Sequence, residues 1–168
     1  MIEITVIDGR FVVTNGVDEV RNLGIGTYVK SMSTYLLDIA EVAYLIYTNT
    51  AALIVDGKKL TIEDLFTNYS KSPNDWIKFV VLYDLRSRGR KAKAGFSDNS
   101  LVFERDGKYI VYVTEENAPI TSNELVNWVE SALSKGYEPL LAVVDAHGDV
   151  TYYKLLNVRV NELKEMMD

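Results

Sequence analysis

At 168 residues, with 48% apolar and 25% charged, the chain has globular composition and room for one full core or two small ones. It has no cysteine, which removes disulfide frameworks, zinc ribbons and cysteine nucleophiles from consideration. The net charge of −6 argues only mildly against a freestanding nucleic-acid binder, because its distribution matters more than its sum, and no apolar run approaches the ~20 residues a membrane span needs.

The opening, MIEITVIDGRFVV, carries an acid at Glu3 and no basic n-region, so a secretory leader is not expected and a cytoplasmic location is. IEITVI and RFVVT predict two short strands joined by an Asp8-Gly9 turn. NLGIG (22–26) is expected to be a flexible connection. Asp38 followed by Glu41 makes a capping-box pattern, and Ile39, Ala40, Ala43 and Tyr47 then share a helical face. AALIV predicts a strand ending at Asp56-Gly57. Thr61 with Asp64 opens a second helix, with Ile62, Leu65, Phe66 and Tyr69 on its inner face. YSKSPND (69–75) is the best linker, combining Ser, Pro, Asn and Asp.

In the second half, Trp76, Phe79, Val80 and Tyr83 follow i, i+3, i+4, i+7, predicting a helix from about Asn74 to near Gly89. SLVFE and KYIVYV predict strands around Arg105-Asp106-Gly107. Thr121 with Glu124 caps a helix carrying Leu125, Val129 and Ala132 and ending at Gly136. LLAVVD and VTYYKLL make a last hairpin across the turn at 145–149. Two helices on a sheet that holds the apolar run 140–144 make this half α/β with a mixed sheet.

Motifs with strong chemical meaning are missing. There is no P-loop, GxGxxG, HExxH or GxSxG, and GIG at 24–26 lacks a third glycine. Asp145, His147 and Asp149 are three potential ligands, but adjacent loop donors rarely close a metal site and no second cluster is available. FERDGK (103–108) has acids and a lysine without the spacing of a metal-dependent nuclease. No metal and no cofactor is expected. The segment RSRGRKAK (86–93) holds five basic residues and no acid. It reads either as a protected strand edge or as a site for an anionic partner.

YDLRSRGRKAKAGF (83–96) resembles the Asp-Leu-Arg-x-Arg-Gly stretch of archaeal tRNA-splicing endonucleases. LLAVVDAHGDVTYYKL resembles that family's C-terminal hairpin, and LDIAEVAYLI (37–46) its N-terminal helix, in the same order. The resemblance implies a small N-terminal α+β domain, 1–72, and a restriction-endonuclease-like C-terminal α/β domain, 73–168. It also implies metal-independent cutting of pre-tRNA by a Tyr, a His and a Lys, in which the ribose 2′-oxygen attacks the neighbouring phosphate. Such chemistry needs a base, an acid and a cation near the developing charge.

Carried over by position, the family's tyrosine falls on Phe103 and its lysine on Tyr137, with Lys135 two residues away. Its histidine would precede Tyr109, where this chain has RDGK and no histidine. The resemblance therefore implies a structural, non-catalytic subunit. It would assemble with a homologous catalytic chain, two copies of each, on the bulge-helix-bulge of pre-tRNA. A homodimer in the absence of that chain is compatible with the same surfaces. In the family an acidic turn enters a basic cleft of the partner, and the last strand pairs edge to edge. Those features map to Asp145, His147, Asp149, Tyr152 and Tyr153. His147 replaces a third acid with the side chain whose charge changes nearest neutrality. Arg88, Arg90, Lys91 and Lys93 are assigned to RNA or to a partner's acidic turn, and Arg86 to pairing with Asp84 or capping its helix. The rival readings are an active nuclease using Lys108, Tyr109 or Lys135, and an unrelated self-associating α/β module.

Overall fold

The computed structural model describes residues 1–118 and 120–155. The acidic tail NELKEMMD (161–168) and Leu156 of the last expected strand lie outside the described residues. β1 (Ile2–Ile7) and β2 (Arg10–Asn15) form the first hairpin, with Asp8 and Gly9 both at positive φ, 52° and 74°. Two consecutive positive-φ residues match the twist of the flanking strands. The next stretch is richer than expected. Helix α1 (Val17–Leu23) is followed by β3 (Thr27–Val29), one 3-10 turn at Lys30–Met32, and β4 (Thr34–Leu37). Elements this short carry too few residues for a readable period.

Residues 22–26 are not a loose connection. Gly26 has φ 78°, and a Cβ there would lie 2.5 Å from Leu37 Cδ2. Helix α2 (Ile39–Tyr47) starts at the expected capping box: Asp38 accepts from Ala40 N, and Glu41 accepts from Asp38 N at 2.8 Å. β5 (Ala51–Val55) pairs parallel with β1, and β6 (Lys58–Leu60) turns back on it, giving the order β3-β4-β2-β1-β5-β6. Helix α3 (Ile62–Tyr69) carries the Thr61/Asp64 box.

Ser70 to Pro73 lead into α4 (Asn74–Ser87). β7 (Lys93–Ala94), β8 (Ser100–Glu104), β9 (Lys108–Glu115), α5 (Ser122–Ser134), β10 (Glu138–Val144) and β11 (Val150–Lys154) follow. The second sheet runs β11-β10-β9-β8-β7, with β9 and β10 parallel and the other pairs antiparallel. Helix α5 lies in the crossover that a parallel pair requires. The protein is thus mixed α+β, with a mixed sheet in the C-terminal half.

The buried face of α4 matches the spacing at Phe79 and partly at Val80, but is rotated from it at the ends. Lys78, Phe79, Val81, Leu82 and Leu85 are buried, while Trp76 and Tyr83 are 48% and 40% exposed. Helix α4 packs against α2 as well as the sheet, so its core stripe is rotated toward Val81. Lys78 is tolerated there because its ammonium meets Asp38 Oδ1 at 3.3 Å. Tyr47, expected on the inner face of α2, is also exposed, and it joins Tyr83 edge to face at 5.1 Å.

One buried cluster runs from Ile4 and Leu53 through Val42 and Leu82 to Val111 and Ala142, joining both sheets. Polar groups seal the junction. The buried Glu41 carboxylate also accepts from Gly26 N at 2.8 Å and Ala94 N at 3.2 Å. Arg86 donates to Leu23 O at 2.9 Å and Ala92 O at 2.8 Å, with its guanidinium over the Tyr44 ring. Arg86 therefore ties the two halves together, and Arg88 is the residue that pairs with Asp84.

Candidate functional site

The 145–149 turn is organised by Asp145. Its Oδ1 accepts from His147 N at 2.8 Å and Asp149 N at 3.0 Å, and its backbone N–H donates to Asp149 O. Gly148, at φ 81°, completes the reversal. One carboxylate oxygen of Asp145 is thus committed to the loop itself, while His147 and Asp149 are exposed. Among the described residues no three acidic or histidine side chains gather as metal donors.

Among the described residues β11 is an edge strand, and its two tyrosines diverge. Tyr153 is 52% exposed. Tyr152 turns inward, and its hydroxyl donates to Asp84 Oδ2 at 2.7 Å. Burial, helped by that carboxylate, pushes the Tyr152 phenol well above its ordinary range. Arg88 Nε donates to the same Asp84 oxygen at 2.8 Å, a bond that raises the guanidinium, and it lies over the Tyr152 ring.

The basic run does not act as one patch. Arg86 goes into the junction. Arg88 and Arg90 line a cleft of about 440 Å³ with Arg105, Phe103, Tyr109 and Tyr152. Asp106 is its one lining acid. Lys93 pairs with Val102, and that pairing puts it on the opposite face of the sheet. Lys91 is exposed beside Gly24. Among the described residues neither Arg90 nor Arg105 has an ion-pair partner, so the cleft offers two unpaired cations, against the single acid Asp106, to an anion.

Phe103 is buried on the α4 side, stacked on Tyr109 at 5.0 Å and 12°. Tyr137 packs on the α5 side with Val102, Ile110 and Ala132. The two positions singled out from the resemblance therefore lie on opposite faces of the sheet. Lys108 and Tyr109 are consecutive strand residues and also point to opposite faces. Lys108 sits 5.8 Å from the Tyr137 ring, and Lys135 sits 5.1 Å from the Phe96 ring. His147 lies beyond the other end of β10 from the Tyr109–Glu138 pair, roughly 20 Å along a strand at ~3.3 Å per residue.

Residues 76–152 match the family model for the tRNA intron endonuclease catalytic C-terminal domain. The chain is 31% identical over 126 residues to a tRNA-splicing endonuclease of Thermococcus onnurineus, covering 71% of this chain and 74% of that protein. It is 30% identical over 125 residues to one of Pyrococcus horikoshii, with the same coverages of 71% and 74%. The chain belongs to the tRNA intron endonuclease family. A tRNA-splicing endonuclease of Methanococcoides burtonii is 31% identical over 150 residues, 83% of this chain, but the match spans only 42% of that longer protein.

Within this endonuclease fold, sequence reading missed the cleft as a unit. Arg88, Arg105, Asp106 and Tyr109 come from the end of a helix, a turn and a strand, and no local pattern connects them. The only signal was the Asp84–Arg88 spacing of four on a helix, which puts the two on neighbouring turns. Among the described residues no helix is long and apolar enough to cross a membrane.

Proposed function

We propose that this chain is the structural, non-catalytic subunit of a heteromeric tRNA-splicing endonuclease. It assembles with a homologous catalytic chain, two copies of each, and positions that chain on the bulge-helix-bulge of pre-tRNA in the cytoplasm. The observation that carries this reading is Phe103. It stands where the resemblance puts the family's tyrosine, and it is a buried ring stacked on Tyr109 with no proton to exchange. The one histidine is on an exposed turn at the other end of β10. Losing one member of a cooperating catalytic set already removes most of the rate.

Two surfaces support an assembly role. The turn bearing Asp145, His147 and Asp149 is preformed, so inserting it into a basic groove of the catalytic chain orders little further backbone. The cleft with Arg90 and Arg105 suits the reciprocal insertion of that chain's acidic turn. Tyr153 and the free edge of β11 extend the sheet across the pair, while Tyr152 braces the strand through Asp84.

The test is cleavage of a bulge-helix-bulge RNA in EDTA. No cutting by this chain alone, and cutting at both splice sites in a mixture with a homologous catalytic chain, is the expected outcome. Cutting by the purified chain alone overturns the reading.

A further inference from the structure

We propose that Phe96 and Tyr137, flanked by Lys108 and Lys135, form a stacking site for an unpaired RNA base. Phe96 is 59% exposed. It is not displayed by a slack loop. Gly95 N donates to Ser100 O at 2.9 Å and Ser100 N to Ser97 O at 3.1 Å, while Ser97 N and its hydroxyl both reach Ser100 Oγ. Asn74 ties the same turn to the start of α4 through Asn99 Oδ1 at 2.8 Å. Any Cβ at residue 95 would collide with Ser100, so the glycine is required for this close turn. A braced turn that holds a phenyl ring in water gives up the free energy of burying it.

The surroundings say what the ring is suited to meet. Tyr137 stands edge to face with Phe96 at 5.3 Å and 77°, so two aromatic rings meet at this exposed position. Lys135 and Lys108 place their ammonium groups 5.1 Å and 5.8 Å from the Phe96 and Tyr137 rings, and neither has an ion-pair partner among the described residues. Lys93 lies on the same sheet face. Glu104, opposite Lys108 in the β8–β9 register, is the acid of that row, whereas Glu138 pairs with Tyr109 on the other face and Asp98 lines a different cleft. An exposed ring covered only by a mobile lysine side chain suits single-stranded nucleic acid, in which a base stacks on the ring while the displaced ammonium contacts a phosphate. A protein ligand would need a reason for the lysines to stay unpaired. The inference rests on the proposed role in pre-tRNA processing and adds where an unpaired base of that RNA would sit.

The experiment uses the full chain and an oligouridylate carrying one 5-iodouridine, with a fully paired RNA duplex for comparison. Photocross-links at Phe96 or Tyr137 are expected. Phe96→Ala is expected to weaken oligouridylate binding about tenfold without altering thermal unfolding. Lys108→Gln with Lys135→Gln should flatten the dependence of log affinity on log salt by roughly 0.7 per lysine. Cross-links confined to the Arg90–Arg105 cleft, no cross-links at all, or unchanged affinity in Phe96→Ala overturn the inference. So does loss of co-elution with a catalytic chain in Phe96→Ala at unchanged RNA affinity, which would make the patch a protein contact. The cross-linking needs no partner chain, so failure of heteromeric assembly would sink the subunit role while leaving base stacking standing on its own result.

Discussion

Replacing Glu41 by Gln probes the junction that holds the two sheets together. In the native protein Oε2 accepts from Gly26 N and Ala94 N, and Oε1 accepts from Asp38 N. A glutamine keeps one oxygen. Its best orientation preserves the bonds to Gly26 and Ala94 and turns the amide NH2 toward Asp38 N. Orphaning that donor costs about 1–3 kcal/mol. The two retained bonds change from charge-assisted to neutral, losing roughly half their strength. Relief of the buried charge outweighs that second loss, since burial dominates over the N–H groups at this carboxyl, so the net cost is that of the orphaned donor, about 2 kcal/mol. For a chain of this size that lowers Tm by roughly 4–8 °C. Circular-dichroism melts and urea titration measure it, and amide exchange at Gly26 and Ala94 localises it. A Glu41→Gln protein within about 1 kcal/mol of the parent, with unchanged protection at those amides, would refute the claim that this carboxylate braces the junction.

The same site has a pH signature. Burial pushes Glu41 above the ordinary carboxylate range, against the opposing pull of the N–H groups of Asp38, Gly26 and Ala94. The folded state then holds the proton more tightly than the unfolded one, so its stabilising contribution is full below the unfolded pKa and is lost as pH rises through the folded pKa. The advantage of the parent over Glu41→Gln should shrink as pH is raised above about 4.5, and an advantage that grows over that range would reverse the assignment. Gly26→Ala should destabilise by more than 2 kcal/mol, roughly, because positive φ and the close approach of Leu37 act together, and a near-normal melt would show that the backbone relaxes. Tyr152→Phe should cost about 1 kcal/mol and remove the phenol that titrates last in ultraviolet difference spectra; a phenol in the parent that ionises with the exposed tyrosines would contradict the Asp84 bond. Asp149→Lys should abolish co-elution with a catalytic chain while the monomer stays folded. It is a cleaner probe than Asp145→Lys, which also breaks the turn, and unchanged co-elution refutes the insertion of this loop.

Local chemistry was legible in the sequence where it acts within a few residues. The Asp8-Gly9 turn, the boxes at Asp38/Glu41 and Thr61/Asp64, the cap at Thr121 and the extents of α4 and α5 all depend on contacts between near neighbours. The stretch from Gly16 to Leu37 was not legible, because α1, β3 and β4 are each too short to show a period and are held by β2 and by Glu41. Of the site, the exposed turn and the edge position of the last strand could be read. The division of the basic run among the junction, the cleft and the far face of the sheet could not.

What the sequence determined by itself is the order and type of most elements and the absence of cysteine chemistry. These are properties of single positions or of spacings up to one helical turn. Only the tertiary structure decided which face each side chain meets. Lys78 is buried because Asp38 meets it from the start of α2, and Tyr152 is inward because Asp84, 68 residues away, accepts its hydrogen bond. Glu41 bonds backbone groups 15 and 53 residues distant. Periodicity states that a helix has an apolar stripe, but the packing of α4 between α2 and the sheet sets the angle of that stripe, and so leaves Trp76 and Tyr83 in water.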